Sequence, residues 1–539
     1  MRTLILWGLV FGCCLAQAAD EFVYTVRPGD NPWNIGQRYL KNPADALRLA
    51  KLNRIPDTHR MRPGTSLRIP TRWLRLQPLG ARLVAVNGEV RIVSDAGVAR
   101  AAGVGDLVPM GSVLRSGAQS TAKIEFDDGS RVLVRQLTEL RLVRTQWRVL
   151  ADSSLVELNL LRGALENAIR PQDRAASRFE ISSPAAVASV RGTEFRVSAD
   201  GQQTWTEVLE GAVAVANPAG QTDAVAGTGS FTQAGRPPGP PVRLLAAPDL
   251  AALPARLERL PLDWPLPPVA GAVRYRTQIS PDARFDVIVS DEVAVQPRAR
   301  SLDIADSSYV LRVRAIDVNG LEGLSAERAL EVWARPEPPL LLDPAPDAVL
   351  VDARPTFRWT RANPAWHYRL QIFAGADPAA PPYDEQVLAL ASAQPRIDLD
   401  SGIYRWRVAA IDPARARQGP WGDSQGLRRV LPGPGVEPPK LEPGAVTLRW
   451  SAQPHTRAYG LQVAREPGFG VLLLDTQTTQ AQHRLEQLKP GPHHVRTRSI
   501  GEDGYTGPWG AAQVFTVPPE PEPSHDKAWL LLIPLLFGL

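Results

Sequence analysis

Three tryptophans set the frame for the C-terminal half of the chain. Trp264, Trp359 and Trp450 stand 95 and then 91 residues apart, and each opens the same succession of segments. From Trp264 the chain passes Tyr275-Arg276-Thr277-Gln278-Ile279 and then Tyr309-Val310-Leu311-Arg312-Val313-Arg314-Ala315-Ile316-Asp317. From Trp359 it passes Tyr368-Arg369-Leu370-Gln371-Ile372 and the run from Tyr404 to Asp412, and from Trp450 it passes Tyr459-Gly460-Leu461-Gln462-Val463 and the run from His494 to Gly501. A period this long is a whole domain, not a solenoid turn. Apolar and polar residues alternate within each run, the two-residue period of a half-buried strand. The expectation is three β domains in tandem, at 252–336, 337–433 and 434–518, each with its tryptophan in the core and its Arg and Gln side chains facing water. Pro-rich joints near Pro336 to Pro339 and Pro432 to Pro439 separate them. Gly-Pro-Trp precedes the final strand at 419–421 and 507–509, whereas the first repeat has Gly323-Leu324-Ser325.

An early inward Trp and a late Tyr-x-Val-Arg strand make each repeat resemble a fibronectin type III-like β-sandwich, related to the immunoglobulin-like class. The 539 residues are too many for one core, and with 51 prolines and few aromatics they suit several domains built of short strands. The fold class expected is multidomain and mostly β.

Residues 80–235 carry a second pattern. Ala81 to Ile92 is a strand, an Asn87-Gly88 turn and a strand, and Thr121 to Val134 repeats the device around Asp128-Gly129. Ser154 to Leu160 is a further strand run, leading to Arg162-Gly163-Ala164, and Phe179 to Val197 closes the series. Phe126-Asp127-Asp128-Gly129-Ser130, Leu160-x-Arg162-Gly163 and Val190-Arg191-Gly192-Thr193-x-Phe195-x-Val197 resemble, in order, the FecR family, an extracytoplasmic all-β domain. The best-known members relay signals from outer-membrane iron-uptake receptors to a membrane-bound sigma-factor regulator. That role requires a cytoplasmic segment and a membrane span; a signal-like start and another module stand in their place, so the resemblance carries the fold. The Asp127-Asp128-Gly129 turn is read as a hairpin and not a calcium loop, because no distal Glu follows at the required spacing. Arg191 is read as a structural turn residue, with an acidic partner as the sharper alternative. Gly235-Arg236-Pro237-Pro238-Gly239-Pro240-Pro241 opens a semi-rigid linker over 236–251.

Residues 21–75 are the most specific stretch. Val23 to Val26 reads as a strand, Pro28-Gly29 as a tight turn, and Asp30 or Asn31 as the cap of a helix with Pro32 in its first turn. A second helix covers Ala44 to Leu52, with Asn53 ending it, and Arg62-Pro63-Gly64 turns into the strand Ser66 to Pro70. The order strand–helix–helix–strand and these motifs resemble a LysM module, a βααβ unit that binds N-acetylglucosamine-containing glycans such as peptidoglycan. The resemblance implies a shallow site made by Gly29, Asp30, Asn31 and Pro32 on one side and Asn53, Arg54, Ile55 and Pro56 on the other. Trp33 is expected in the core in preference to serving as a sugar platform. The segment from Asp20 to Arg75 holds 11 basic and 5 acidic residues, a net of +6, which exceeds the +5 of the whole chain and suits an anionic wall surface as well as a solvated basic face.

Arg2, the apolar stretch Leu4 to Leu15 and Ala16-Gln17-Ala18 form a signal-peptide pattern over 1–18. Both cysteines, Cys13 and Cys14, fall inside it, so a cleaved chain would have no disulfide; a lipid-attachment box at Val10-Phe11-Gly12-Cys13 is the alternative. A spacer is expected at 519–527 and an apolar tail at 528–539, too short to span a bilayer.

No catalytic constellation is expected. Gly422-Asp423-Ser424-Gln425-Gly426 fits Gly-x-Ser-x-Gly, but a strand and not a helix follows it. His493-His494 lacks further ligands at zinc spacing. No phosphate loop or dinucleotide fingerprint appears, so no cofactor is expected, and the charge distribution argues against nucleic acid as a partner. The functional expectation is a non-enzymatic, exported peptidoglycan-binding scaffold in the periplasm or envelope of a Gram-negative bacterium, displaying its β domains to an envelope protein. A FecR-type signalling component is the first alternative, and a wall hydrolase with an unrecognised site is the second.

Overall fold

The structure is a computed structural model and describes residues 21–59, 61–171, 177–190 and 192–519. The signal-like segment, Arg191 and the apolar tail lie outside the described residues. The chain divides into two compact units, Met1–Ala334 and Arg335–Leu539.

The first unit begins with strand β1 (Glu21–Thr25), helix α1 (Pro32–Tyr39), helix α2 (Ala46–Leu52) and strand β2 (Ser66–Pro70). The two strands pair antiparallel, with Glu21 opposite Pro70 and Thr25 opposite Ser66. Tyr24, Val26, Ile35, Leu49, Leu67 and Ile69 form the core, into which Ala151 of the following domain also packs. Strand Leu76–Pro78 pairs with Gln146–Arg148, so this module joins the next domain without a free spacer.

Seventeen strands from Leu76–Pro78 to Val242–Arg243 then form one continuous hydrogen-bonded network. Its central member is the 16-residue strand Ser153–Ala168. Up to Arg162 it pairs with Glu139–Arg148; from Gly163 onward it pairs with Glu194–Ala199 and Arg131–Val134. Gly163 makes this change of sheet possible. Its φ is +96°, and a Cβ there would lie 2.3 Å from the Thr138 Oγ1. The Asp-Gly hairpin closes as expected: Gly129 N–H bonds to the Phe126 carbonyl at 2.8 Å, Ser130 N–H bonds to the Asp128 carboxylate at 2.9 Å, and the Asp127 carboxylate accepts from Gly80 N–H at 2.8 Å.

Residues 236–251 adhere to both neighbours instead of spanning open solvent. Gly239 N–H bonds to the Phe231 carbonyl, Val242–Arg243 adds to strand Thr228–Gln233, and Leu250 and Leu253 enter the next core. That core lies between a five-stranded sheet (Arg256–Leu257, Arg274–Ser280, Ser290–Ala294, Ser308–Ile316, Glu322–Val332) and the pair Asp263–Pro265 with Arg298–Arg300. Trp264 is only half-buried against it.

The second unit repeats the plan twice. Phe357–Trp359 and its neighbours face the sheet containing His367–Ala374 and Gly402–Asp412; Ala445–Arg449 and its neighbours face the sheet containing Thr456–Ala464 and Gly491–Gly501. Trp359 and Trp450 are buried, each edge-on to the tyrosine that opens the next strand, Tyr368 at 5.7 Å and Tyr459 at 5.6 Å. Both units are thus mostly β-strand, and among the described residues the α-helices lie in the N-terminal module, with a single 3-10 turn at Pro413–Arg415 in the second unit.

Candidate glycan-binding site

The turn between β1 and α1 is built by hydrogen bonds that point inward. Gly29 has φ +87° with nothing within 4 Å of a Cβ position, so the turn needs its conformation and not its small size. Asp30 accepts from the Tyr24 hydroxyl at 2.5 Å and from Arg27 N–H at 2.8 Å. Burial, then the Asp30 carboxylate beside it, pushes the Tyr24 hydroxyl up to about 12, so it stays a proton donor to Asp30. Asn31 is the helix cap: its side chain accepts from Asn34 N–H at 2.9 Å, and the Asn34 side chain accepts from Asn31 N–H at 2.9 Å. Pro32 follows as a buried first-turn residue.

The second turn is tied to β2. Asn53 donates to the carbonyls of Leu49 at 3.0 Å and Arg68 at 2.8 Å, and accepts from Arg68 N–H at 2.7 Å. Arg54 is exposed in a left-handed conformation (φ 51°), Ile55 packs on the module core, and Pro56 is exposed. Each of the two groups of four thus stays within its own turn, and the β1–β2 pair links them. Asp30, Asn31 and Asn53 spend their side chains on the turns themselves. Trp33 departs from the expectation of a core residue: it is 45% exposed, because its position in the first turn of α1 lies off the face that carries Ile35 and Gly36 inward.

A second constellation, unforeseen in the sequence, lies where the seventeen-stranded domain meets the first repeat. Glu166 accepts from Arg312 at 2.9 Å and from Arg314 at 2.9 and 3.1 Å. Glu322 accepts from Arg135 at 3.0 Å and Arg314 at 2.9 Å, and Asp291 accepts from Arg276 at 2.6 Å and Gln278 at 3.0 Å. Arg196 donates to the Glu322 and Gly323 carbonyls at 2.6 and 2.9 Å. Arg312, Arg314 and Gln278 were expected to face water and are buried here. Burial opposes the charge of Glu166 and Glu322, but the guanidiniums around them outweigh it and hold both well below the usual carboxylate range. Glu207 has a weaker partner, Arg196 at 3.6 Å, and burial raises it to about 7. Lys123 with Asp286 at 2.5 Å and the packing of Leu133 on Phe285 and Ile288 complete the contact. The one sequence signal for it is the missing Gly-Pro-Trp of the first repeat.

The sequence motifs set aside as decoys are structural. Ser424 Oγ accepts from Arg405 at 3.1 Å at the start of strand Gln425–Arg429. His493 is buried and stacked on Phe515 at 5.4 Å, with burial lowering its pKa. Among the described residues no group of three His, Cys, Asp or Glu side chains is placed to hold a metal ion, and no helix is long and apolar enough to cross a membrane.

Residues 24–70 match the LysM domain model, and residues 112–214 match the model of the FecR protein family. The chain carries a LysM domain and a FecR domain. Both are non-catalytic, typically envelope-associated families, and LysM domains generally bind peptidoglycan. The two domain identities support a non-catalytic, envelope-associated adaptor or signalling role. No curated protein matches the chain. Among solved structures, a candidate anti-sigma factor from Parabacteroides distasonis is similar at 17% identity, over 23% of this chain and 56% of that one, with a TM-score of 0.20. A two-domain fibronectin type III segment of chicken tenascin is similar at 15% identity, over 34% of this chain and 100% of that one, with a TM-score of 0.26. The chain thus spans little more than half the length of the former, and neither likeness bears on function.

Proposed function

We propose that the protein is an exported adaptor held on peptidoglycan by its LysM domain, with the FecR domain and the sheet pairs behind it meeting an envelope protein. The observation that carries this reading is the presence of both domains in one chain, the glycan-binding one with its turns open to solvent. The N-acetylglucosamine polymer lies across Gly29 to Pro32 and Asn53 to Pro56. Backbone groups there bond the sugar amides, Trp33 offers an exposed ring to a sugar face, and Asp30 and Asn53 hold the two turns in shape. The three repeats behind are fibronectin type III-like sandwiches. The Tyr309 and Tyr404 hydroxyls support this: each donates to the carbonyl four residues earlier, at 3.0 and 3.1 Å, a corner bond that such sandwiches use. Weak glycan binding suffices, because tethering raises the local concentration of the displayed domains.

The test is co-sedimentation of the purified mature chain with peptidoglycan sacculi. Retention of the unmutated chain, reduced by Trp33→Ala without loss of folding, is expected; no retention of the unmutated chain would end the anchor reading.

A FecR-type signalling role is the second reading. The FecR match, longer of the two and running through the strands that form the junction, favours it over a purely mechanical tether. Transcript profiling of a deletion strain separates them: a changed gene set supports signalling, and an unchanged one leaves the tether.

A further inference from the structure

Each of the three repeats carries an Arg–Gln–acid row on its own corresponding sheet. Arg312 donates to Gln278 at 2.7 Å and Gln278 to Asp291; Arg407 donates to Gln371 at 3.0 Å and Gln371 to Glu385 at 2.7 Å; Arg496 donates to Gln462 at 2.6 Å and Gln462 to Asp475 at 3.1 Å. In the second and third repeats two aromatic rings lie against the guanidinium. Phe373 and Trp421 lie 5.0 and 4.5 Å from Arg407, and Phe469 and Trp509 lie 4.1 and 4.7 Å from Arg496. The first repeat has one such ring, Phe285 at 3.8 Å from Arg312. At the position of the tryptophan it has Ser325, which pairs with Arg314 as Trp421 pairs with Ala409.

The space beside Ser325 is a cleft of about 480 Å³ between the FecR domain and the first repeat. Six basic side chains and three carboxylates, Glu166, Glu194 and Glu327, line it; of the basic ones, Lys123 and Arg284 pair with Asp286 and Arg131 with Glu125. Deep in it, Arg196 is only 3% exposed, and its Nε and Nη1 make no hydrogen bond, reaching Glu207 and Glu322 only at 3.6 and 3.9 Å. The buried cluster as a whole sets five arginines (135, 196, 276, 312 and 314) against four carboxylates (Glu166, Glu207, Asp291 and Glu322). Buried charge ordinarily finds a full set of partners, and here two nitrogens of the Arg196 guanidinium lack a hydrogen bond next to open space. Guanidinium forks select carboxylates, and the apolar walls from Leu133, Phe195 and Leu324 suit the carbon frame of an organic acid or peptide in preference to a bare inorganic ion.

We propose that this cleft is a binding site for a carboxylate-bearing ligand, bridging the FecR domain and the first repeat. Ser325 keeps the site open where the other repeats close it with tryptophan. Arg131 and Arg284, 42% and 72% exposed, line it at the surface, where each already pairs with a carboxylate, Glu125 at 2.7 Å and Asp286 at 3.2 Å, and would share its remaining N–H groups with the anion. The carboxylate comes from a free organic acid or from an acidic peptide, and the two are distinguished by titrating the full mature chain calorimetrically with citrate and with tri-glutamate, using tri-glutamine as the neutral control. Saturable one-site binding of at least one acidic probe is expected, with no heat from tri-glutamine. Ser325→Trp should abolish it. The double variant Arg131→Gln with Arg284→Gln, exposed positions that leave the fold intact, should weaken it about tenfold. Binding of equal strength in both variants would assign the heat to the basic LysM surface and overturn the proposal, as would the absence of saturable binding of either acid to the unmutated chain.

Discussion

Asp30 and Trp33 lie three residues apart and carry opposite loads. Asp30 is the acceptor of a buried tyrosine hydroxyl, so Asp30→Ala should cost about 1–2 kcal/mol of LysM stability, read by denaturant unfolding, before any glycan is considered. Trp33 is 45% exposed, so Trp33→Ala should cost about 1 kcal/mol of stability or less while lowering retention on sacculi. Position in the first helical turn says which residue caps, but which way a ring turns depends on the packing of the whole module. Glu207 gives a pH signature. Burial raises it to about 7 from an ordinary 4.5, so its contribution to stability is full below pH 4.5 and lost as pH rises through 7. Glu166 and Glu322 are depressed, so theirs is present above pH 4.5 and lost as pH falls through their folded values. Glu207→Gln should remove a decline on the order of 3 kcal/mol between pH 4.5 and 8 and leave the acid-side loss in place, as unfolding curves across pH would record.

Single glycines and amides decide whole elements. The strand Ser153–Ala168 serves two sheets because Gly163 takes a φ of +96° against Thr138. Gly163→Ala meets both the left-handed backbone and a 2.3 Å approach, and should destabilise the FecR domain by about 3 kcal/mol or more, seen as a lowered urea midpoint. Asn53 similarly fastens the end of α2 to β2 through three hydrogen bonds. The turn chemistry of Pro28-Gly29, Asn31-Pro32 and Asp128-Gly129 was legible from the sequence, because those residue types serve few other purposes. The sixteen-residue reach of Ser153–Ala168 was not: Gly163 marked a break in the pattern, and only the two sets of partner strands make it a crossing point.

At the scale of the molecule, the FecR domain and the first repeat share a junction and fall in one compact unit, and the connecting segment that composition alone reads as a semi-rigid linker packs on both. Removing one partner from a buried ionic network leaves the others uncompensated, so Glu166→Gln should cost about 3 kcal/mol and lower the thermal midpoint of the first unit. The 236–251 segment should also resist protease in the folded chain, its cleavage tracking global unfolding in a time course. What could be read from residue order was whatever local periodicity and turn residues encode: strands, hairpins, the LysM turns, the tryptophan period. The alternating Arg of Tyr309 to Ile316 and the Gln of Tyr275 to Ile279 look the same as those of the other repeats, since a two-residue period says that one sheet face is polar and not what lies against it. Glu166, 146 residues earlier, turns that face from a solvated surface into a buried junction, and only tertiary structure, which brings distant carboxylates and guanidiniums within 3 Å, could decide it.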